Sequence, residues 1–182
     1  MTDEINFIEQ LQNAQTKEQA FKKLVATYKE RLYWHIRKIV VSHDDADDVL
    51  QNTFIKIFRS IDNFKQESQL FSWMYRIATN ESITFINKRA KEKNVDISDY
   101  QHGLTSNLDS DLHFDGNQIQ LILQKAIKTL PTKQQLVFNM KYFDELKYKE
   151  ISEILETSEG ALKASYFHAV KKIEDFIKNN VH

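Results

Sequence analysis

Trp73, Arg76, Asn80, Thr84 and Asn87 recur at i, i+3, i+7, i+11 and i+14 and so share one face of a helix. The stripe mixes a flat ring with amide, hydroxyl and guanidinium groups. Aromatic rings stack on unpaired nucleobases for roughly 1 to 3 kcal/mol each, and amide and guanidinium groups read base edges, so the combination suits single-stranded nucleic acid. The plainer reading, a core tryptophan and a solvated arginine, fits the same spacing, and periodicity alone does not separate the two. A second polar set lies just upstream. Asp44, Asp45, Asp47 and Asp48 fill what reads as the opening turn of a helix, where backbone N–H groups lack partners and negative charge is favoured. A third set lies near the C-terminus, where Glu159, Gly160, Lys163, Ala164, Phe167, His168 and Lys171 are left on the outward face of the last helix. Small Gly160 and Ala164 permit close approach there, and the lysines are placed for phosphates; an ordinary solvated face is the alternative.

Catalytic chemistry finds little to work with. The chain has no cysteine, which removes thiolate nucleophiles, disulfides and cysteine zinc sites, and it has neither a P-loop nor a GxGxxG turn. Its six histidines (His35, His43, His102, His113, His168 and His182) show no metal-ligand spacing. A non-enzyme is expected, with no metal, no cofactor and no small-molecule substrate.

The elements that must position these sets are helical. Three glycines and one proline in 182 residues leave turn punctuation sparse, so an all-α protein is the economical reading, and 41% hydrophobic content is enough for its cores. A first helix spans about 3–12, and Thr16 with Gln19 forms a capping box for a long helix to about Val41. The acidic helix carries Val49, Leu50, Phe54, Ile57, Phe58 and Ile61 inward and leaves Asp47, Asp48 and Gln51 outside. Ser68 is placed to cap the next helix, which runs to about Ala90 with Phe71, Met74, Ile77, Ala78, Phe85 and Ile86 as core. Aromatic Tyr28, Tyr33 and Trp34 read as core or core-edge. From Asn94 to Asn117 there is no basic residue, five aspartates, two of the three glycines and no sustained period: a flexible acidic linker. Beyond it, a helix is stopped by Pro131, Thr132 with Gln135 forms another capping box, and Tyr148 to Leu155, a turn at Glu156 and Thr157, and a helix capped by Ser158 have helix-turn-helix spacing. Two small helical domains, 1–93 and 118–182, are therefore expected on either side of the linker 94–117.

A net charge of −1 argues against a nonspecific polyanion binder but not against a protein whose nucleic-acid affinity comes mostly from a partner. The N-terminus is acidic and amphipathic, and no run approaches about 18 apolar residues, so neither a signal peptide nor membrane insertion is expected and the protein reads as cytoplasmic.

These segments, in this order and over nearly the whole chain, resemble an extracytoplasmic-function sigma factor, the smallest group of the sigma-70 family of bacterial transcription initiation factors. DADDVLQNTFIKIF is similar to the family's core-polymerase-binding helix, FSWMYRIATNESITFINKR to its melting and recognition helix, and LPTKQQLVFNMKYFDELKYKEISEILETSEGALKASYFHAVKKI to its helix-turn-helix. The resemblance implies core RNA polymerase, promoter DNA and an anti-sigma factor as partners. It implies that Asp47, Asp48, Gln51 and Phe54 grip the polymerase's clamp helices. Phe64, Lys65, Ser68, Phe71, Trp73, Arg76 and Asn80 would take a flipped base of the minus-ten element, with Lys88 and Arg89 on phosphates. Lys163, Ala164, Phe167, His168 and Lys171 would enter the minus-thirty-five major groove. The chain departs from the family at Thr84, Phe85, Ile86 and Asn87, where many members have aspartate, tyrosine, leucine and arginine; base preference at the upstream edge is thereby left open. The competing reading is a stand-alone helix-turn-helix regulator with a helical N-terminal sensor domain.

Overall fold

The computed structural model describes residues 2–104 and 118–180. Among the described residues there are α-helices, one 3-10 turn and no strand. In chain order the helices are α1 (Thr2–Gln12), α2 (Lys17–Val40), α3 (His43–Ser60), α4 (Leu70–Glu92), α5 (Ile97–Gly103), α6 (Gln118–Lys128), α7 (Thr132–Tyr142), α8 (Tyr148–Leu155) and α9 (Glu159–Asn180), with the 3-10 turn Ile61–Asn63 after α3.

The sparse glycine is offset by other residues in left-handed conformations: Val41, Gln66, Asn94, Glu145 and Glu156 all have φ between 50 and 70°. Val41 is the most costly of these, because a β-branched side chain crowds its own backbone at φ 70°. It allows α2 to reverse into α3 within two residues. Ser42 then caps α3, its hydroxyl accepting from the Asp45 N–H at 3.4 Å. Only Asp44 and Asp45 of the four aspartates lie in the first turn; Asp47 and Asp48 stand one turn further along.

Three expected caps are replaced by longer-range partners. Thr16 makes no cap; its hydroxyl donates to the Gln10 carbonyl at 2.8 Å. Helix α4 starts at Leu70, not Ser68, and the Leu70 N–H is taken by Glu4 Oε1 from α1 at 3.4 Å. Thr132 lies inside α7, after Pro131, and donates to Gln101 Oε1 at 3.0 Å, while Gln135 donates to the Leu130 carbonyl at 2.7 Å.

Helices α2, α3 and α4 pack on one another around Leu24, Leu32, Ile36, Val49, Ile57, Met74, Ala78 and Ile86. That core does not stop at residue 93. Leu136, Val137 and Met140 of α7, Leu146, Ile151 and Ile154 at α8, and Leu162 of α9 belong to the same contiguous cluster. A second cluster, Ala126, Ile127, Leu130, Phe138, Ala169 and Ile173, joins α6, α7 and α9. The two halves are thus docked, chiefly through α4 against α8. The expected flexible linker is also partly ordered: α5 lies within 94–117 and packs on α4, with Tyr100 and Leu104 buried. Residues 105–117, the rest of that expectation, lie outside the described residues. At the start of the stretch, Asn94 and Val95 turn back onto α4 by donating to the Lys91 and Ala90 carbonyls.

Candidate nucleic-acid interface

The loop from Phe64 to Gln69 and the first turns of α4 build an open cavity of about 500 Å³. Phe64, Lys65, Ser68, Trp73 and Arg76 line it, joined by Asn63, Glu67 and, from the other half, Glu153 of α8. Trp73 is half-buried, and its ring lies 4.9 Å from that of Phe64 at 38°. It is neither a sealed core residue nor a free one. Arg76 pairs with Glu156 at 2.8 Å, which leaves its Nε buried without a hydrogen-bond partner, as is Glu153 Oε2 in the same wall. Both atoms are sealed from solvent, so the cavity presents the aromatic pair and the Arg76–Glu156 ion pair. Asn80 is exposed one turn beyond Arg76. Phe71 departs from the expected cluster: it turns toward α2, where the Arg31 guanidinium sits 4.3 Å over its ring and Tyr75 is 4.4 Å away.

At the far end of α4, Lys88 is exposed, while Arg89 is engaged by Asp45 and Glu92, each at 3.4 Å, and its guanidinium lies 5.0 Å over the Phe85 ring. Arg89 is available to a phosphate only in competition with those carboxylates.

On α3, Asp47, Asp48 and Gln51 are exposed, and Phe54 is half-buried with its ring 6.2 Å from Phe21, edge-on. Sequence reasoning missed what lies beside them. Phe21, Val25, Gln51, Phe54, Ile55, Phe58 and Arg59 line a groove of about 460 Å³ between α2 and α3. Phe58, expected in the core, is 36% exposed at its rim, and Ile55 is 41% exposed. The signal was an apolar stripe wider than a single buried face requires.

On α9, Leu162, Ala169 and Ile173 are buried, and Lys163, Ala164, Phe167, His168 and Lys171 are all exposed on the opposite side. Phe167 is 64% exposed with its ring 5.7 Å from His168. Nothing lies within 4 Å of where a Gly160 side chain would start, so that glycine answers to no packing within the chain. The Ser158 hydroxyl accepts from the Ala161 N–H at 3.4 Å, as the sequence led us to expect.

A buried polar cluster ties the halves together. His35 Nε2 is 2.9 Å from Thr79 Oγ1 and Nδ1 is 3.1 Å from Asp144 Oδ2, and Lys38 reaches the other oxygen of Asp144. Burial pushes the Asp144 carboxyl up, but the hydrogen bond and charge of His35, with Lys38, outweigh it and hold the group below the usual carboxylate range. The Thr79–His35–Asp144 connectivity is that of a nucleophilic triad, yet Thr79 is sealed from solvent and its hydroxyl already donates to the Tyr75 carbonyl at 2.8 Å. It is structural. Lys128, fully buried, donates to the Lys38 carbonyl at 2.7 Å at the end of α2; burial, aided by the Arg37 charge, pushes its ammonium down to about 7. Among the described residues no three His, Asp or Glu side chains gather as a metal site, and no helix is long and apolar enough to cross a membrane.

Residues 24–92 match the family model for sigma-70 region 2, and residues 120–173 match that for sigma-70 region 4. Curated ECF RNA polymerase sigma-E factors are similar end to end. The one from Escherichia coli K12 is 25% identical over 186 residues, covering 98% of this chain and 95% of that protein. The one from Haemophilus influenzae is 26% identical over 189 residues, covering 98% and 96%. Among solved structures, CnrH in complex with the cytosolic domain of CnrY matches with a TM-score of 0.70 at 18% identity, covering 97% of this chain and 98% of that one. The sigma factor RpoE in complex with the anti-sigma factor NepR from Bartonella quintana gives 0.67 at 20% identity, covering 88% and 98%. Both structural likenesses speak to the fold.

Proposed function

The chain belongs to the sigma-70 family of RNA polymerase sigma factors, in its extracytoplasmic-function group, and on that premise we propose how its surfaces divide the work of an alternative sigma factor. The division rests on one observation: the aromatic pair Phe64 and Trp73 and the arginine Arg76 line one open cavity at the head of α4. A base leaving the duplex gives up a few kcal/mol of pairing and stacking, and a flat pocket with edge donors returns it. Phe64, Trp73 and Arg76, with Lys65 and Ser68 at the rim and Asn80 beyond, receive that base from the minus-ten element. Lys88 and Arg89 follow the phosphates. No bond is made or broken, so the protein acts by binding alone.

Asp47, Asp48, Gln51 and Phe54 present carboxylates beside an apolar groove, a pairing suited to the basic and apolar side chains of a polymerase helix. Helix α9 enters the minus-thirty-five major groove with Ala164, Phe167 and His168 toward base edges and Lys163 and Lys171 toward phosphates. The functional units are 1–93 and 118–182, with 94–117 between them. Because a structural neighbour is named in complex with an anti-sigma factor, an anti-sigma factor that covers these faces is part of the reading. Work at the polymerase places the protein in the cytoplasm. Against the stand-alone regulator reading stands the match of residues 24–92 to sigma-70 region 2.

The test is transcription itself. Core RNA polymerase with the purified chain, given a pool of upstream fragments from its own genome, should yield discrete run-off products that core alone does not. A chain that shifts such duplexes tightly unaided, and adds no product to core, would contradict the proposal.

A further inference from the structure

Helix α1 lies outside the segments that match the two sigma-70 regions, yet it holds the loop on which the base pocket depends. The loop Phe64–Gln69 contains no glycine and no proline, and Gln66 is held at φ 59°. Helix α4 behind it begins without a side-chain cap from Gln69. Fixing such a segment costs conformational entropy and calls for contacts from elsewhere.

Those contacts converge from α1 and the first residue of α2. The Gln12 side-chain amide carries two hydrogens, and Nε2 lies 2.9 Å from the Ile61 carbonyl and 2.9 Å from the Phe64 carbonyl. One group thus ties the start of the 3-10 turn to the residue whose ring lies against Trp73. Lys17 reaches Asp62 at 2.6 Å, and Glu4 accepts from the Leu70 N–H, so the loop is held at its entry and at its exit. Leu11 and Ile8 are buried and anchor α1 itself, which fixes where Gln12 stands.

We propose that Gln12 is a positioning residue for promoter melting, its amide holding the Phe64 carbonyl so that the Phe64 ring and Trp73 present a stacking surface of fixed geometry. The proposal rests on the reading of that cavity as the base pocket. Gln12 touches no DNA and acts through Phe64. A base that must be caught within a short-lived opening is sensitive to misplacement of its partner ring, and a shift on the order of 1 Å is costly in rate.

Three variants of the full chain, assembled with core polymerase, test it: Gln12→Met, which keeps length and helix propensity but removes both donors; Gln12→Lys, whose ammonium restores donors; and Trp73→Ala. Opening is followed by 2-aminopurine fluorescence in the minus-ten element across single-base promoter variants, beside a thermal melt and core affinity. Gln12→Met should slow opening about 10-fold and flatten preference at the flipped base, with core affinity unchanged, and Gln12→Lys should recover most of both. Gln12→Met opening at the wild-type rate, or a loss equal for every base variant and tracking a lowered melting temperature, overturns the positioning role. If Trp73→Ala is slow and base-blind while Gln12→Met is not, the pocket stands and only the brace falls. If neither variant differs from wild type, the base-pocket reading itself falls, and the brace with it.

Discussion

Asp47 and Asp48 are exposed side chains on a helix whose buried face is complete without them, so their removal isolates surface chemistry from folding. Reversing both to lysine should abolish core-polymerase binding while circular dichroism stays helical; a pull-down of the folded double variant decides it, and unchanged capture would remove the clamp-helix role. Lys171 stands at the edge of the exposed α9 face, where a phosphate is the expected partner. Lys171→Ala should weaken all promoters about equally and shallow the salt dependence by roughly one unit, while His168→Ala should change the ranking among upstream sequences. Titrations at several salt concentrations on a panel of duplexes separate the two effects. Trp73→Ala is a truncation of a half-buried ring, so its thermal penalty should fall short of the ~3 to 5 kcal/mol of a sealed core tryptophan.

At the scale of elements, the acidic side chains at the end of α8 and in the turn just after it are the feature that DNA must displace. Glu156 pairs with Arg76 and Glu153 lines the cavity, so negative charge stands where a phosphate backbone would pass. Glu156→Lys should loosen α8 from α4 and raise the affinity of the free protein for single-stranded minus-ten DNA, as read by fluorescence anisotropy; equal affinity in both proteins would mean that α8 masks nothing. The helices were legible in the sequence because each needs one apolar face. Tyr148 to Leu155, the turn after it and the exposed set on α9 follow directly from the period of Ile151, Ile154, Leu162, Ala169 and Ile173. The exposure of Asp47, Asp48 and Gln51 followed in the same way. What the sequence concealed were partners distant along the chain. Thr16 and Thr132 have the local spacing of capping boxes, but Gln10 and Gln101 take their hydroxyls, and Glu4 does for α4 what Ser68 was expected to do. Tyr100 and Leu104, in a stretch with no sustained period, are buried by α4, which a composition reading of that stretch cannot register. Phe71 fell on the core stripe and also in the family's base-capture set; its half-buried ring packs against Arg31 and Tyr75 and does not line the cavity.

At the scale of the molecule, the free protein is a docked form with one core running through both halves, and two promoter elements about one and a half helical turns apart, ~50 Å, require those halves to part. The contacts to be broken are ionisable. Asp144 has its carboxyl held low in the docked form, so it stabilises docking above the ordinary carboxylate range, and that contribution is lost as pH falls through its lower docked value. Lys128 acts in the other direction along the scale. With its value lowered by burial from the ordinary 10.5 to about 7, it disfavours docking by a constant amount below 7, and the penalty shrinks as pH rises above that because a solvated Lys128 then holds the proton that the buried one has lost. Docking should therefore strengthen from pH 7 to 10, and Lys128→Met, which places an apolar chain in the same buried space, should strengthen it at pH 7 and remove that dependence.

The central claim is that one chain carries two promoter-reading surfaces that are docked when free and separated when at work. Fluorescence transfer between labels at Lys65 and Lys163, in the same sample before and after core polymerase and promoter are added, measures it most directly. The account predicts efficient transfer in the free protein and a fall to a separation of tens of ångströms in the transcribing complex. A free protein already as extended as the bound one, or transfer that stays high while run-off product accumulates, would contradict it.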